Sequence, residues 1–558
     1  MSTSSTHQAY DGETTTDSYE NAFLNWKSAQ DHLHRAFQGF IDASQSLNDA
    51  RVERSRYQTN PQTRTTISNH IDDEILSLSS LQNYLDSAKA TLLHSMSTSA
   101  TLGPIHKLPA EILGYIFVLQ QPCCVHRAII QKPSEISKSQ LIDTISMVCS
   151  NWRKVALNTR ELWSHLDFAT NVKHVLFNLL CDRARLWIER ARGCSLHLHL
   201  HEFNRSGKAD HKVIEGLLRP HLPHVVSIHM WSNSNKTPFE DFPWELLGSK
   251  LSGSNPVITE VSIEYESSKG GSIKLPSKYF SLKGGFYESV SVLHLRRAGI
   301  PWDNHICRGL TDLRLESLVI ACPSLAQLAA ILAASPGLSS LALGFGIGMI
   351  LNFDGNPIPL NNLEVLNIQG VMSGWLSPIL RLLAPGPLPL SMSVSPRVGD
   401  RKELNAFFER SNVTRLFVSG SLSAAWCPLP DSLRPSLQVL AIAYSQFLSN
   451  EEPNLISTYT STSHELKICP KLRSLHIVAS SVKPELLVPV VVAHPDLEAL
   501  WLTDCSIRDY KRSSKPKGYA GPKNMNEVAD LMPEAIQSIT RVASNYGHDP
   551  VRYWDCIV

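Results

Sequence analysis

Long apolar runs are missing from this sequence of 558 residues. No stretch approaches the roughly 18 consecutive apolar residues that indicate a membrane-spanning helix. No positively charged segment followed by an apolar one opens the chain, so we expect no secretory signal. The expected location is therefore the cytoplasm, the nucleus or both, with no membrane as partner.

Cysteine is present but lacks the spacing that a structural role requires. The eleven cysteines are scattered, only Cys123 and Cys124 are adjacent, and there is no C-x-x-C pair. Neither a disulfide framework nor a zinc site has its usual pattern. Reduced thiols are the expectation.

Charge of one sign is also missing, because the formal net charge is +1. Such a balance gives no reason to expect nucleic acid as a partner. Five basic residues and no acid lie in 511–523. A solvated loop explains that patch better than a nuclear-import signal.

The sequence contains no motif of the common catalytic classes. There is no G-x-S-x-G elbow, no Walker loop and no H-E-x-x-H. The segment 344–348 follows a strand pattern but lacks the spacing of a phosphate-binding loop, which favours a plain loop. We therefore expect no enzyme activity and no cofactor.

Three histidines, His197, His199 and His201, alternate with leucines. On a strand they would share one face with neighbours about 7 Å apart. Metal ligands must lie about 2 Å from one ion, so adjacent strands would have to help. A solvent-facing edge without metal is the favoured interpretation.

The first hundred residues divide into two parts. Residues 1–18 are rich in Ser and Thr and are expected to be disordered. Residues 19–96 carry a heptad seam that Pro61 interrupts. The seam positions are Phe23, Trp26, Gln30, Leu33, Phe37, Phe40, Ser44 and Leu47, then Ile67, Ile71, Glu74, Leu78, Leu81, Leu85, Ala88 and Leu92. Two helices packed as an antiparallel hairpin are favoured over an oligomerisation coiled coil, which stays open.

Short strand patterns with apolar residues at alternate positions recur from 194 to 508. Their first residues are 20 to 35 positions apart, and helical stretches such as 325–334 and 484–492 lie between some of them. The paired positions are Leu196/Leu198/Leu200, Val226/Ile228/Met230, Val261/Ile263, Leu293/Leu295, Leu313/Leu315, Leu341/Leu343, Leu366/Ile368, Leu390/Met392, Leu416/Val418, Leu440/Ile442, Leu475/Ile477 and Leu500/Leu502. One strand with one helix at this period indicates a leucine-rich-repeat solenoid of α/β class. A doubly wound sheet is the rival, but its strands would be continuously apolar.

Four tryptophans lie on or just after these strands: Trp231, Trp302, Trp426 and Trp501. Large aromatics on a concave face are common binding hot spots, although packing beneath a loop is nearly as good an explanation. Residues 509–558 are expected to form the basic loop and a C-terminal cap.

A helical segment precedes the repeats. Pro109 suits the first turn of a helix and Glu111 favours its dipole. After a polar insert at 126–138, a second helical pattern leads to Leu162 and Trp163.

The segment 104–168 resembles the F-box family. The matching strings are Leu108-Pro109-x-Glu111-Ile112-Leu113-x-x-Ile116-Phe117 and Val148-Cys149-x-x-Trp152-Arg153-x-x-Ala156. The order of coil, F-box and irregular leucine-rich repeats is similar to the F-box-like families of mushroom-forming fungi. The insert at 126–138 departs from compact members.

The resemblance implies a fold, a partner and a role. The fold would be an N-terminal helical hairpin, a three-helix F-box and then a leucine-rich-repeat solenoid. The F-box would bind the Skp linker subunit of a Skp–cullin ubiquitin ligase, and the repeats would recruit a target protein of unknown identity. By analogy the residues that form or support the docking face are Leu108, Pro109, Ile112, Leu113, Ile116, Val148 and Trp152. Phe117 and Cys149 are expected to face the motif's own core. An interaction scaffold outside a ligase is the alternative.

Overall fold

A computed structural model gives the fold of the chain. The residues that it describes are 13–54, 61–98, 105, 108–120, 141–170, 172–203, 211–233, 258–266, 272–275, 289–302, 307–319, 322–345, 355–372, 374–395, 400–419, 432–443, 469–478, 481–482, 484–503, 505–507 and 540–543. The insert at 126–138, the basic patch at 511–523, Trp426 and residues 1–12 lie outside them. The chain divides into two compact units, Met1–Leu102 and Gly103–Val558.

The first unit contains two long helices, α1 (Glu13–Arg54) and α2 (Pro61–Thr98). Helix α1 begins six residues before Tyr19, where the predicted helical segment begins, so residues 13–18 are helical although disorder was expected there. Helix α2 begins at the proline that interrupts the seam. Most large apolar side chains described in the two helices are 36–72% exposed, while Phe37 and Ile71 are half-buried. The two helices are therefore present, while their packing as a hairpin remains a prediction.

The second unit begins with helices and continues as alternating strands and connections. Its helices are α3 (Ala110–Gln120), α4 (Leu141–Val148), α5 (Ser150–Asn158), α6 (His174–Ala191), α7 (His211–Leu218), α8 (Leu325–Ala333), α9 (Leu376–Leu382), α10 (Arg401–Glu409) and α11 (Pro484–Ala493). Short 3-10 turns cover Arg160–Trp163 and Arg219–His224. No described helix of the chain is long and apolar enough to cross a membrane.

The strands form one large parallel sheet and three small ribbons. The strands are β1 (His165–Thr170), β2 (Leu196–Glu202), β3 (Val225–Ser232), β4 (Glu260–Tyr265), β5 (Ile273–Lys274), β6 (Val292–Arg296), β7 (Ala298–Gly299), β8 (Asp312–Leu318), β9 (Ser340–Phe345), β10 (Ile358–Leu360), β11 (Val365–Ile368), β12 (Leu383–Pro385), β13 (Leu390–Val394), β14 (Val413–Ser419), β15 (Val439–Ala443), β16 (Ser474–Val478), β17 (Ser481–Val482), β18 (Ala499–Thr503), β19 (Ser506–Ile507) and β20 (Thr540–Ala543). Fourteen of them pair in the order β1-β2-β3-β4-β6-β8-β9-β11-β13-β14-β15-β16-β18-β20, and the ribbons are β5-β7, β10-β12 and β17-β19. Because each strand pairs with the next strand of the sheet along the chain, the architecture is solenoid-like.

The alternating leucines form the core of this sheet. At the matched register Leu293, Leu313 and Leu341 are each 2% exposed or less. They belong to one continuous apolar cluster that also includes residues of α8 and α11. A single strand could not cover these side chains, so successive strands bury one another's leucines.

Hydroxyl side chains tie successive repeats together just before the strands. Ser291 Oγ donates to the Thr259 carbonyl at 3.2 Å, Thr311 Oγ1 to the Ser291 carbonyl at 3.2 Å, and Ser339 Oγ to the Thr311 carbonyl at 3.0 Å. Each hydroxyl bonds the equivalent position of the preceding repeat. This ladder fixes the register between strands that lie 20 to 32 residues apart.

Every strand predicted from the alternating pattern is present, but the sheet extends beyond 194–508 at both ends. Strand β1 lies within the segment that resembles an F-box, and β20 lies within the predicted cap. Strand β20 has Val542 as its one large aliphatic residue, so the alternating pattern could not reveal it. Several intervals, such as 355–364 between β9 and β11, contain a short ribbon strand instead of a described helix.

Candidate functional site

Helix α3 begins where the sequence predicts. The Leu108 N–H donates to the Ile105 carbonyl at 3.3 Å, and the Leu113 N–H donates to the Pro109 carbonyl at 3.0 Å. Proline lacks an N–H, which costs nothing at a helix start. Glu111 in the first turn interacts favourably with the helix dipole.

One face of α3 packs inward. Leu113 is fully buried and Phe117 is 2% exposed. Gly114 is buried between them, and a Cβ added there would lie 2.7 Å from Thr159 Oγ1. Glycine thus lets α3 approach the end of α5 closely.

The other face of α3 is apolar as well, yet it is exposed. Ile112, Tyr115 and Leu119 are 48%, 63% and 61% exposed. Their spacing of three and four residues places them on one side of the helix. A helix that is apolar all round is normally buried, so this exposed row of side chains is a candidate docking surface.

Helix α4 likewise has apolar residues that are buried and others that are exposed. Ile142 and Ile145 are buried, whereas Met147 and Val148 at the helix end are 71% and 53% exposed. Cys149 then caps α5, because its Sγ accepts the Trp152 N–H at 3.4 Å.

Trp152 lies between the interior and the surface. Its ring is 4.9 Å from that of Phe117, and the side chain is half-buried. The buried indole N–H has no hydrogen-bond partner in the part of the chain that the structure describes. Trp152 thus packs against the buried side of α3 through Phe117.

The seven residues that the F-box resemblance assigns to docking differ in exposure. Pro109, Ile112 and Val148 are exposed, Leu108, Ile116 and Trp152 are half-buried, and Leu113 is fully buried. Leu113 can therefore only support a docking surface from the interior. Tyr115, Leu119 and Met147 are exposed beside them, although the motif comparison did not single them out.

Two tryptophans join the helices to the sheet. Trp163 Nε1 donates to the Ala156 carbonyl at 2.9 Å, and the ring of Trp187 on α6 meets that of Trp163 edge-on at 5.7 Å. The Arg190 guanidinium lies 4.3 Å from the Trp163 ring centre. Buried aromatic contacts of this kind favour a rigid connection.

An ion pair adds a further connection between α6 and α4. Arg183 Nη2 lies 2.7 Å from Asp143 Oδ2. Helix α6 was not predicted from the sequence, although its buried positions recur every three or four residues.

The residues that alternate with the leucines form the second face of the sheet. On β1 to β6 this face carries a histidine array, namely His165, His197, His199, His201, His229 and His294. The rings of His165 and His197 stack at 4.5 Å, and those of His199 and His229 at 5.0 Å. His199 and His201 are 3% and 8% exposed, so the prediction of a solvent-facing edge is wrong for both. Neighbouring strands bring more rings onto the same face, and the rings cover one another.

A hydrogen bond between two rings of the array requires one neutral imidazole. His165 Nδ1 is 3.2 Å from His199 Nε2, which requires one nitrogen to accept a hydrogen bond. His197 Nδ1 and His229 Nε2 contact the Ser227 hydroxyl at 3.1 and 3.0 Å. Burial lowers the pKa of His197 below its ordinary value.

Charged pairs continue this face on β4 to β8. Arg296 Nη1 is 2.5 Å from Glu264 Oε1, and Asp312 contacts both His294 at 3.2 Å and Arg314 at 2.9 Å. Burial alone would raise the pKa of Asp312, but its bonds to His294 and Arg314 outweigh burial and hold that pKa at about 2. Burial raises the pKa of Glu264, although Arg296 opposes the change.

The later strands carry small and apolar residues on this face. Phe417, Ala441, Ala443 and Val478 form a buried cluster separate from the leucine core. His476 stacks on Trp501 at 5.9 Å, and burial lowers the pKa of His476 to about 4.

The predicted binding tryptophans are less accessible than expected. Trp231 and Trp302 are 6% and 7% exposed, which makes both core residues. Trp501 is half-buried and shares the second face with His476, as its alternation with leucines predicted. Among the described residues no group of three or more His, Cys, Asp or Glu side chains could hold a metal ion.

Comparisons with known proteins assign no family to this chain. No family model and no curated protein matches the sequence. One solved structure, titled "Crystal structure of Rad7 and Elc1 complex in yeast", aligns with 84% of this chain and 99% of that chain at 13% identity, with a TM-score of 0.32. A likeness of that size does not establish a shared fold.

Proposed function

We propose that this protein is an F-box substrate-receptor adaptor of a Skp–cullin ubiquitin ligase. In this proposal the exposed side of α3 and the end of α4 dock on the Skp linker subunit. The parallel sheet recruits a target protein whose identity the sequence does not specify. The chain itself performs no bond chemistry.

The outward row of Ile112, Tyr115 and Leu119 on α3 carries the proposal. These apolar side chains are 48–63% exposed, while the inward side of the same helix is fully packed. An apolar row at helical spacing is the kind of surface that meets a partner helix or groove. It falls on the segment whose sequence resembles an F-box.

The mechanism would be proximity. An adaptor that holds a target beside the ligase raises the effective concentration of the target's lysines at the transfer site. Such a function needs a fixed distance between docking surface and receptor surface. The contacts of Trp163 with Ala156, Trp187 and Arg190 supply that rigidity.

The decisive experiment measures binding of the full chain to purified Skp linker subunit. Ile112→Asp combined with Val148→Asp places two charges in the docking surface without disturbing a buried residue. We expect affinity to fall by about 30-fold or more, because unpaired charges in an apolar interface are costly. Leu186→Asp on α6 is the matched control, since Leu186 is 43% exposed, and it should bind like wild type.

A milder pair, Leu108→Ala with Pro109→Ala, tests the start of α3. Binding should weaken, and circular dichroism should show that the helix content is kept. Absence of Skp binding by the wild type, or undiminished binding by both double variants, would remove the adaptor proposal. An interaction scaffold outside a ligase would then be the better explanation.

A further inference from the structure

The long helix α1 carries an apolar seam that stays exposed in the folded chain. Phe23, Trp26, Leu33, Phe40 and Leu47 are 40–51% exposed, and Phe37 is half-buried. They occupy the two positions of each heptad that face a partner in a coiled coil. A helix of 42 residues derives most of its stability from packing an apolar face, so an uncovered seam calls for a partner.

We propose that α1 forms a parallel coiled coil with α1 of a second copy of this chain, in place of the antiparallel hairpin with α2 that the sequence favours. The dimer does not depend on the proposed ligase role. The functional consequence of the dimer does depend on that role. Two docking surfaces and two receptor surfaces in one particle would raise avidity without new contacts.

The exposed seam of α1 by itself supplies the area of a small dimer interface. Its five exposed residues offer about 100 Å² each, or roughly 500 Å² per copy, because a fully buried large side chain contributes about 150–250 Å². A pair of copies therefore buries about 1,000 Å², which is the lower limit expected of a specific interface.

The polar residues of the seam favour a second copy of α1 as the partner and a parallel orientation of the two helices. Gln30 and Ser44 interrupt the apolar positions of α1. In a parallel dimer in register each residue faces its own counterpart, and two Gln30 amides can hydrogen-bond each other. In an antiparallel pair centred on the seam Gln30 would face Phe40 and lose that bond, which is costly for a buried amide.

The flanking positions bring no like charges together. One flank is alanine in every heptad, at Ala22, Ala29, Ala36, Ala43 and Ala50. The opposite flank carries Lys27, His34, Ile41 and Asn48. In a parallel dimer each of these four residues meets an alanine of the other copy, so identical helices do not repel one another.

The first test is the mass of the full-length protein by sedimentation equilibrium. Wild type should reach twice the chain mass of 62.0 kDa at micromolar concentration. Leu33→Asp with Phe40→Asp should raise the dimer Kd about a hundredfold or more, since four charges would enter the seam. Leu24→Asp is the control, because Leu24 is 61% exposed on the same helix but lies off the seam. A monomeric wild type, or a dimer that the seam variant leaves intact, would overturn the proposal.

A second measurement keeps the test independent of helix loss in the aspartate variant. Ser44→Cys places one thiol per chain in a seam layer of otherwise wild-type α1. A mild thiol oxidant should join the two chains more rapidly than wild type, because parallel registration brings the two introduced sulfurs together and wild type has no thiol in the seam. No gain in cross-linking over wild type would exclude the parallel register.

Discussion

The two ends of the second face of the sheet share one backbone pattern and differ in chemistry. Strands β1 to β8 fill this face with imidazoles, carboxylates and guanidinium groups, whereas β14 to β16 carry the apolar cluster of Phe417, Ala441, Ala443 and Val478 beside His476. Both ends contain buried side chains, among them His199 and His294 in the first and Phe417 and Ala441 in the second. The first is held by hydrogen bonds and ion pairs, and the second by apolar contact, so the two should fail under different conditions.

The largest expected effect is in the apolar end. Phe417→Ala should lower the free energy of unfolding by about 3–4 kcal/mol, because a ring that is 2% exposed leaves a cavity. Urea denaturation with hydrogen exchange of the β14 segment measures it. Met372→Ala, at a side chain that is 46% exposed, should change stability by at most about 0.5 kcal/mol. Equal losses in the two variants would show that Phe417 is not packed as described.

A smaller effect is expected in the charged end. Asp312→Asn removes the carboxylate that accepts from Arg314 and faces His294, and it should cost about 1–3 kcal/mol. Because the pKa of Asp312 is about 2, its stabilisation is complete above its unfolded value of 3.8 and is lost as the pH falls from 3.8 to about 2.

Two measurements test the stability contribution of Asp312 and its dependence on pH. Urea midpoints at neutral pH give the cost, and Asp182→Asn, at an exposed ion pair, should be nearly silent. Below pH 4, the urea midpoint of Asp312→Asn should fall less steeply with pH than that of wild type. If the urea midpoint of the variant fell as steeply below pH 4 as that of wild type, Asp312 would not be the group whose protonation lowers stability there.

The smallest effect at neutral pH, and a growing one on acidification, belongs to the buried histidines. The pKa of His476 is lowered to about 4 and that of His197 is lowered in the same direction, both by burial. The unfolded chain therefore binds more protons, and stability that is complete above pH 6.5 declines as the pH falls toward 4. His197→Asn and His476→Asn should each flatten the dependence of the urea midpoint between pH 7 and 5.

A comparison of the two histidine variants sharpens the contrast between the ends. His197 stacks on His165, while His476 stacks on Trp501, which carries no charge at any of these pH values. Loss of His197 should therefore relieve the acid sensitivity of the first strands, and loss of His476 that of the last strands, in segment-resolved exchange. A pH profile that neither substitution changes would mean that other groups control acid unfolding.

The strands and several helices could be predicted because their signals are local. Apolar residues at alternate positions identified every strand of the large sheet from β2 to β18 but none of the ribbon strands, and the pattern around 325–334 identified α8 to within a residue. Ser324 and Gln327 form the capping box that begins α8. Strand β20 and helix α6 escaped, the first for lack of apolar residues and the second because its buried stripe includes cysteine and alanine.

Within the candidate site the sequence indicated the residues but not their exposure. Leu113 and Ile112 are adjacent apolar residues of one motif, yet the first is fully buried and the second is 48% exposed. Their separation by about 100° around the helix places one against α5 and leaves the other outside.

The sequence by itself determined the alternation, the helix starts and the heptad seam, because each depends on backbone periods of two, 3.6 or 3.5 residues. Only the tertiary structure decided which of these side chains are covered. His199 and Trp231 are buried because parallel strands about 4.8 Å apart stack distant residues on one face. Phe23 and Ile112 remain exposed because no described segment of their own unit covers them.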